Sequence, residues 1–328
     1  MQGIDREIAA NYGLDVKGIT PYKDAYMLNT DKGRKILKKL LFSPERIIFV
    51  HGAKEHLISR GFTNVDRYLE TLKGEPCFLF ENSSYVLFDL IEGRESNFDN
   101  DMEAQKAAAT LAMLHSASRG YKPEKNAKIQ DDLGKLPVYF SKRLDDIRKL
   151  RKFAKRGKSR FDHLFLEYVD YFVGLGENAV FELKNSNYAK LVNDAREQGI
   201  FCHHDYTHHN LIATEDRLTV INFDYCCFEL KIYDLANLIR RKMRKCNWDI
   251  DKAKLLIDGY CAVENLSSDE FAVMKLILQF PQKFWRVVNR YYNSRRSWSE
   301  RSYVAKLQEV IDEVEGHGNF MEKYENLV

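Results

Sequence analysis

The sequence predicts an α+β protein with a small, strand-rich N-terminal part and a large helical remainder. Three features carry that expectation. Up to residue 93, short apolar stretches of strand length alternate with turn residues around one helical segment. From residue 100, apolar residues recur at helical spacing almost to the end. One dense polar loop, between residues 201 and 224, interrupts that helical part and is flanked by short apolar strands.

Ile4 to Asn11 reads as a short helix stopped by Gly13. Ala25 to Asn29 and Arg34 to Leu41 read as a hairpin turning at Asp31-Lys32-Gly33. Ser43 to Arg60 begins with a capping serine and a proline, carries Ile47, Ile48, Val50, Leu57 and Ile58, and is followed by Gly61; it reads as a helix. Val65 to Thr71, Cys77 to Glu81 and Tyr85 to Leu90 read as further strands, the last two turning at Asn82-Ser83-Ser84.

Met102 to Ser118 places Ala107, Leu111, Leu114 and Ala117 near helical spacing, and residues 120 to 135 read as a loop with Pro123 and Gly134. Helices follow at about 138 to 156, 160 to 174 and 187 to 198. Ile200-Phe201-Cys202, Leu211 to Ala213 and Leu218 to Ile221 read as short buried strands whose ends present the polar loop. Helices resume at Asp234, a candidate N-cap, then at Ile250 to Asn265, at Ser268 to Val288 with a break near Pro281, and at Ser299 to Glu315.

With 45% hydrophobic and 30% charged residues, the 328-residue chain has the composition of a globular protein. A net charge of +3 gives it no strong electrostatic preference for a partner. No apolar run has the length to span a bilayer, and MQGIDREIAANYG lacks the basic end and apolar middle of a secretory signal, so the expectation is a cytoplasmic protein with no membrane partner. Six cysteines lack any C-x-x-C pairing and are expected to be buried, reduced thiols. The basic run Arg148 to Lys158 reads as a solvated face. Trp285 to Trp298 interleaves aromatics with arginines, but Trp285, Val288, Tyr291 and Tyr292 at helical spacing read as core, and no nucleic-acid partner is expected.

The polar loop has a definite spacing: His203-x-Asp205-x4-Asn210, then Ile221-Asn222-Phe223-Asp224. These two segments resemble the H-x-D-x4-N and I-D-F-[DE] motifs of the aminoglycoside phosphotransferase and choline kinase superfamily. The longer strings FCHHDYTHHN and FDYCCFELKIYDLANLIRR are most similar to its spore coat CotS-like branch. The resemblance implies a protein kinase-like, two-lobed fold, with residues 1–93 as nucleotide-binding lobe and 94–328 as helical lobe bearing the catalytic loop 201–224. It implies ATP and Mg²⁺ as cofactors, because phosphoryl transfer needs a carboxylate on the acceptor hydroxyl and oxygen ligands holding the metal against the phosphates.

In that scheme Asp205 is the base, with His203 and Asn210 beside it in the catalytic loop. Asn210, Asn222 and Asp224 surround the metal, and Lys38, in Ile36-Leu37-Lys38, meets the phosphates. Leu90 and Ile91 belong to the hinge that holds the adenine. Asn222 and Asp224, two apart on an extended strand, would share a face.

Three departures stand out. Asn222 replaces the family's principal metal-binding aspartate and brings no charge. Thr20 to Tyr26, TPYKDAY, has no glycine where kinases cover the phosphates. The helix at 43–60 holds Val50-His51-Gly52 where kinases place the glutamate that pairs with the strand lysine, leaving Glu45 or Glu55 as substitutes. Two function classes follow: an ATP-dependent phosphotransferase acting on a hydroxyl of a small-molecule or sugar acceptor, or a catalytically degenerate scaffold of the spore coat with other coat proteins as partners. Five basic residues between Arg240 and Lys245, with Arg286, Arg290, Arg295 and Arg296 after them, favour an anionic or neutral acceptor over a polycation.

Overall fold

The computed structural model describes residues 3–293 and 299–327. By internal contacts the chain divides into two compact units. One gathers residues 1–97, 113–131 and 199–228, and the other residues 98–112, 132–198 and 229–328.

In the first unit, α1 (Ile4–Tyr12) ends on Gly13, whose left-handed backbone turns its N–H onto the Ala9 carbonyl. Ile4, Ile8 and Tyr12 of this helix pack with Leu28, Leu37, Phe78, Tyr85 and Leu87 of the sheet. That sheet is antiparallel, in the order β1 (Val16–Tyr22), β2 (Ala25–Thr30), β3 (Gly33–Leu40), β5 (Ser83–Asp89), β4 (Phe78–Phe80).

β1 was not legible as a strand. It is an edge strand with no fully buried residue, so it has no alternating core face, and its Pro21 is tolerated there. The β4–β5 turn also differs from expectation. Glu81 and Asn82 take φ of 47° and 58°, the primed geometry that suits a two-residue hairpin, so Ser83 and Ser84 belong to β5. Residues 65–71 form no strand. They run as extended coil with two isolated bridges, Val65 to Val220 and Tyr68 to Phe88.

The helix expected at 43–60 is α2 (Pro44–Ser59). β6 (Arg94–Glu95) pairs with β8 (Leu211–Ala213), which pairs with β9 (Leu218–Val220), and β7 (Phe201–Cys202) pairs with β10 (Cys227–Phe228). Gly93 precedes β6 at φ 149°, and a Cβ there would stand 2.6 Å from the Ala213 carbonyl oxygen, so this approach requires glycine. By internal contacts residues 113–131 and 199–228 group with the sheet.

The second unit contains the start of α3 (Asp101–Ser118), then α4 (Leu136–Ala154), α5 (Arg160–Asn185), α6 (Tyr188–Gln198), α7 (Lys231–Met243), α8 (Ile250–Cys261), α9 (Ser268–Gln279), α10 (Gln282–Asn293), α11 (Glu300–Ile311) and α12 (Val314–Lys323). α5 opens on a capping box between Ser159 and Asp162 and runs 26 residues, well past 174. Gly174 and Gly176 suggest a stop there. At Gly176, however, a Cβ would meet Leu144 of α4 at 2.5 Å, so that glycine permits close helix packing and ends nothing.

Asp234 lies in the first turn of α7 and is buried, while the N-cap position is Leu230. The aromatic residues of α10 are core, as expected: Tyr291 stacks on Phe161 at 3.8 Å and Trp285 donates to Asp146 at 3.2 Å. Trp298, Arg295 and Arg296 lie outside the described residues. Arg151 pairs with Asp170 at 2.7 Å on the solvated face of α4. All six cysteines are free thiols; Cys202, Cys226 and Cys227 are buried, and burial pushes the Cys226 thiol up to about 11. Among the described residues no helix is long and apolar enough to cross a membrane.

Candidate active site

The alternation of β3 sets the site. Leu37 points into the α1 core, so Ile36 and Lys38 face the opposite way and line an opening of about 320 Å³ within the first unit. The neighbouring lysines are spoken for: Lys35 pairs with Asp89, and Lys39 is exposed. Lys38 Nζ donates to Asn222 Oδ1 at 2.5 Å and to Asp224 Oδ2 at 2.7 Å, with Asp24 Oδ2 at 3.9 Å. The Lys38 and Asp224 side chains are only 14% and 13% exposed, so this pair is screened less than the surface ion pairs worth about 0–1 kcal/mol.

Asn222 and Asp224 converge by a route other than a shared strand face. Asn222 is left-handed (φ 67°, ψ 57°), and Phe223–Tyr225 form a 3₁₀ turn. Asparagine tolerates that backbone better than most residues. The Asn222 N–H donates to Asp66 Oδ2 at 2.9 Å, and Asp66 Oδ1 lies 2.8 Å from Lys54 Nζ.

Lys54 comes from α2, is fully buried, and lies 3.6 Å over the Tyr68 ring. Burial lowers its pKa and Asp66 opposes that shift. Arg46, also on α2, donates to the carbonyls of Asp224 at 3.0 Å and Cys226 at 2.6 Å. The glutamate expected on this helix is therefore replaced by cations. Glu55 is chelated by Arg67 at 2.7 Å through both oxygens, and Glu45 is exposed.

The catalytic-loop residues follow in a chain. His203 is wholly buried; its Nδ1 accepts from the Asp205 N–H at 3.2 Å and its Nε2 lies 3.0 Å from the Ile221 carbonyl, which fixes the neutral tautomer with the proton on Nε2. Its place is to brace the loop. Asn210 Nδ2 donates to the Asp205 carbonyl at 2.8 Å and to Asp205 Oδ2 at 2.9 Å, and Asn210 Oδ1 accepts from Asn222 Nδ2 at 3.3 Å. A polar relay thus joins Asp205, Asn210, Asn222, Lys38 and Asp224. Asn210, Asn222, Asp224 and Lys38 line the opening, and Asp205 stands one hydrogen bond behind it.

Leu90 and Ile91 lie on the wall together with Ile36, Phe88, Ile212 and Ile221, an apolar lining suited to a flat base. The Leu90 N–H is already given to the Arg34 carbonyl at 3.1 Å. At the mouth, the glycine-free β1–β2 turn places Lys23 2.6 Å from Glu95, which also meets His209 at 2.5 Å. Lys23, then His209, holds the Glu95 carboxyl down at about 2.

The donors Asn210 Oδ1, Asn222 Oδ1 and Asp224 Oδ2 are hard oxygens, the kind Mg²⁺ and Ca²⁺ prefer, and two of them already hold the Lys38 ammonium. The set fits a divalent ion once that ammonium yields, with fewer negative charges than an aspartate at 222 would give. Asp66, Arg46 and Lys54 were missed from sequence. A lysine at 54 in line with Val50 and Leu57, on the apolar stripe of α2, is the one signal that a buried carboxylate must lie opposite.

A five-stranded antiparallel sheet whose third strand aims a lysine at an acidic turn, in a chain that is otherwise helical, defines a kinase-like phosphotransferase fold. Solved structures agree with that class. An aminoglycoside phosphotransferase from Alicyclobacillus acidocaldarius is similar with a TM-score of 0.86 at 22% identity, covering 98% of this chain and 95% of its own. The spectinomycin phosphotransferase APH(9)-Ia is similar with a TM-score of 0.66 at 14% identity over 96% and 98%.

The chain belongs to the family described as "Spore coat putative kinase YutH", whose model matches residues 5–324. Two relatives from Bacillus subtilis (strain 168) are similar along most of their length. Spore coat protein S is 27% identical over 92% of this chain and 86% of its own, and endospore coat-associated protein YutH is 25% identical over 93% and 87%. The expected kinase-like fold and spore coat family are what is found.

Proposed function

We propose that this protein is an ATP-dependent phosphotransferase of the spore coat that acts on a hydroxyl of a small molecule or sugar. The observation that carries the reading is Lys38 Nζ held at 2.5 and 2.7 Å between Asn222 and Asp224 in an opening with an apolar back wall. Lys38 is placed to exchange its acidic-turn partners for nucleotide phosphates. Asn210, Asn222 and Asp224 would hold Mg²⁺, which supplies charge neutralisation on the phosphates. Asp205, oriented by Asn210 and through its backbone by His203, would take the acceptor hydroxyl.

Neighbours of the same fold support the nucleotide assignment: one was solved with ADP and spectinomycin, and an amicoumacin kinase with AMP-PNP, Ca²⁺ and Ami. The coat assignment rests on the names of the relatives. ATP consumption measured against aminoglycosides, choline, and phosphorylated or acidic sugars tests the reading. Turnover that needs one of the sugars and is lost in Asp205→Asn supports it. Inactivity with every acceptor, unchanged by Asn222→Asp, would leave the chain a scaffold, and robust turnover of an aminoglycoside would reverse the acceptor preference.

A further inference from the structure

The opening in the first unit carries a second group of donors at its mouth, of a different chemistry from the hard oxygens inside. Glu95 ends β6, and β6 pairs with β8, which follows directly on the 3₁₀ turn His208–Asn210. That pairing brings one carboxylate against two consecutive histidines. One ligand atom from each of Glu95, His208 and His209 lies within 4.8 Å of the other two. His209 Nδ1 stands 2.5 Å from Glu95 Oε2, and the His208 and His209 rings lie side by side, 3.8 Å between centroids and 38° between planes.

Two rings from consecutive residues of a 3₁₀ turn do not converge by default, because three residues per turn set successive side chains about 120° apart. Here both are drawn to Glu95 on the rim, and His209 lines the opening. Folding gains little from the arrangement: the His209 and Glu95 side chains are 67% and 34% exposed, and ion pairs so placed contribute about 0–1 kcal/mol.

The donor set has a definite preference. Two imidazoles with one carboxylate suit zinc and the late transition metals, whereas Mg²⁺ takes oxygen ligands. Three ligands about 2.1 Å from a tetrahedral ion stand about 3.4 Å apart. The cluster reaches that spacing when the contact between His209 and Glu95 opens by about 1 Å, which two solvent-facing side chains allow. Solvent at the rim supplies water for the fourth position.

We propose that Glu95, His208 and His209 form a binding site for a divalent transition-metal ion of the Zn²⁺ class, separate from the Mg²⁺ donors Asn210, Asn222 and Asp224. The ion competes with Lys23, whose ammonium holds Glu95 Oε1 at 2.6 Å. Occupancy therefore removes the ion pair that ties the β1–β2 turn to β6, where Lys23 and Asp24 also line the opening. The site lies within the first unit and does not depend on the nucleotide reading above.

Equilibrium dialysis of the full chain against Zn²⁺, with Mg²⁺ in excess, tests it on wild type, His208→Ala/His209→Ala, Glu95→Gln and Lys23→Ala. Wild type should bind Zn²⁺ stoichiometrically. Affinity should fall at least about tenfold in the double histidine variant and in Glu95→Gln, the latter leaving the catalytic loop untouched. Lys23→Ala, freed of the competing ammonium, should bind as tightly as wild type or more tightly. Co²⁺ in the same site should give a tetrahedral absorption spectrum without a thiolate charge-transfer band. No stoichiometric Zn²⁺ binding, undiminished affinity in either ligand variant, weaker binding in Lys23→Ala, a thiolate band with Co²⁺, or displacement of Zn²⁺ by Mg²⁺ would overturn the proposal.

Discussion

The backbone N–H of Asn222 is tied to Asp66 Oδ2 at 2.9 Å, and the other oxygen of that carboxylate faces the buried ammonium of Lys54 at 2.8 Å. The acidic turn therefore takes its shape from an ion pair beneath α2. Through Asn222 the same pair sets where Lys38 rests.

Breaking that pair should be costly. Removing one partner of a buried ion pair strands the other, which costs about 3–5 kcal/mol. Lys54→Met should lower the unfolding free energy by that order in urea denaturation. Arg67→Met, which breaks a pair whose arginine is 59% exposed, should cost at most about 1 kcal/mol. Equal losses in the two variants would show that Lys54 and Asp66 do not act as a buried pair.

The left-handed backbone at Asn222 makes a separate prediction. Asn222→Ala places a Cβ residue without a compensating side chain at φ 67°, at a cost of about 1–2 kcal/mol. Asn222→Gly should be close to wild type in melting temperature. Asn222→Asp keeps the backbone, returns a negative ligand and should lower the Mg²⁺ concentration needed for nucleotide binding; a need for more Mg²⁺ would place the ion elsewhere.

His317 of α12 should make the second unit acid-sensitive. Burial lowers its pKa from 6.5 to about 4, against a hydrogen bond to the Leu278 carbonyl at 3.2 Å. The folded state thus binds fewer protons than the unfolded state in that window. The contribution is whole above about 6.5 and is lost as pH falls towards 4. A melting temperature that declines from pH 6.5 to 4 in wild type and declines less in His317→Gln fits this; identical profiles in the two proteins do not.

What was legible in the sequence was local. Asp31-Lys32-Gly33 announced the hairpin that carries Lys38, Ser43-Pro44 announced α2, and the spacing from His203 to Asn210 announced the loop. What was not legible depends on contacts far apart in the chain. Asp66 sits in coil with no periodicity, and its importance appears only when Lys54 and Asn222 close on it from 12 and 156 residues away. The reading of Asn222 and Asp224 as a strand failed because the left-handed residue between Ile221 and Phe223 leaves no trace in hydrophobic pattern.

The most direct test of the nucleotide site is a thermal shift titration with Mg-ATP on wild type and Lys38→Ala. A ligand that binds only the folded state adds about 2.7 kcal/mol at a hundredfold excess over its dissociation constant, so the melting temperature of wild type should rise with Mg-ATP and level off only logarithmically. Lys38→Ala should show little or no rise over the same range. A wild type that does not respond to Mg-ATP, or a Lys38→Ala protein that responds as wild type does, would contradict the account.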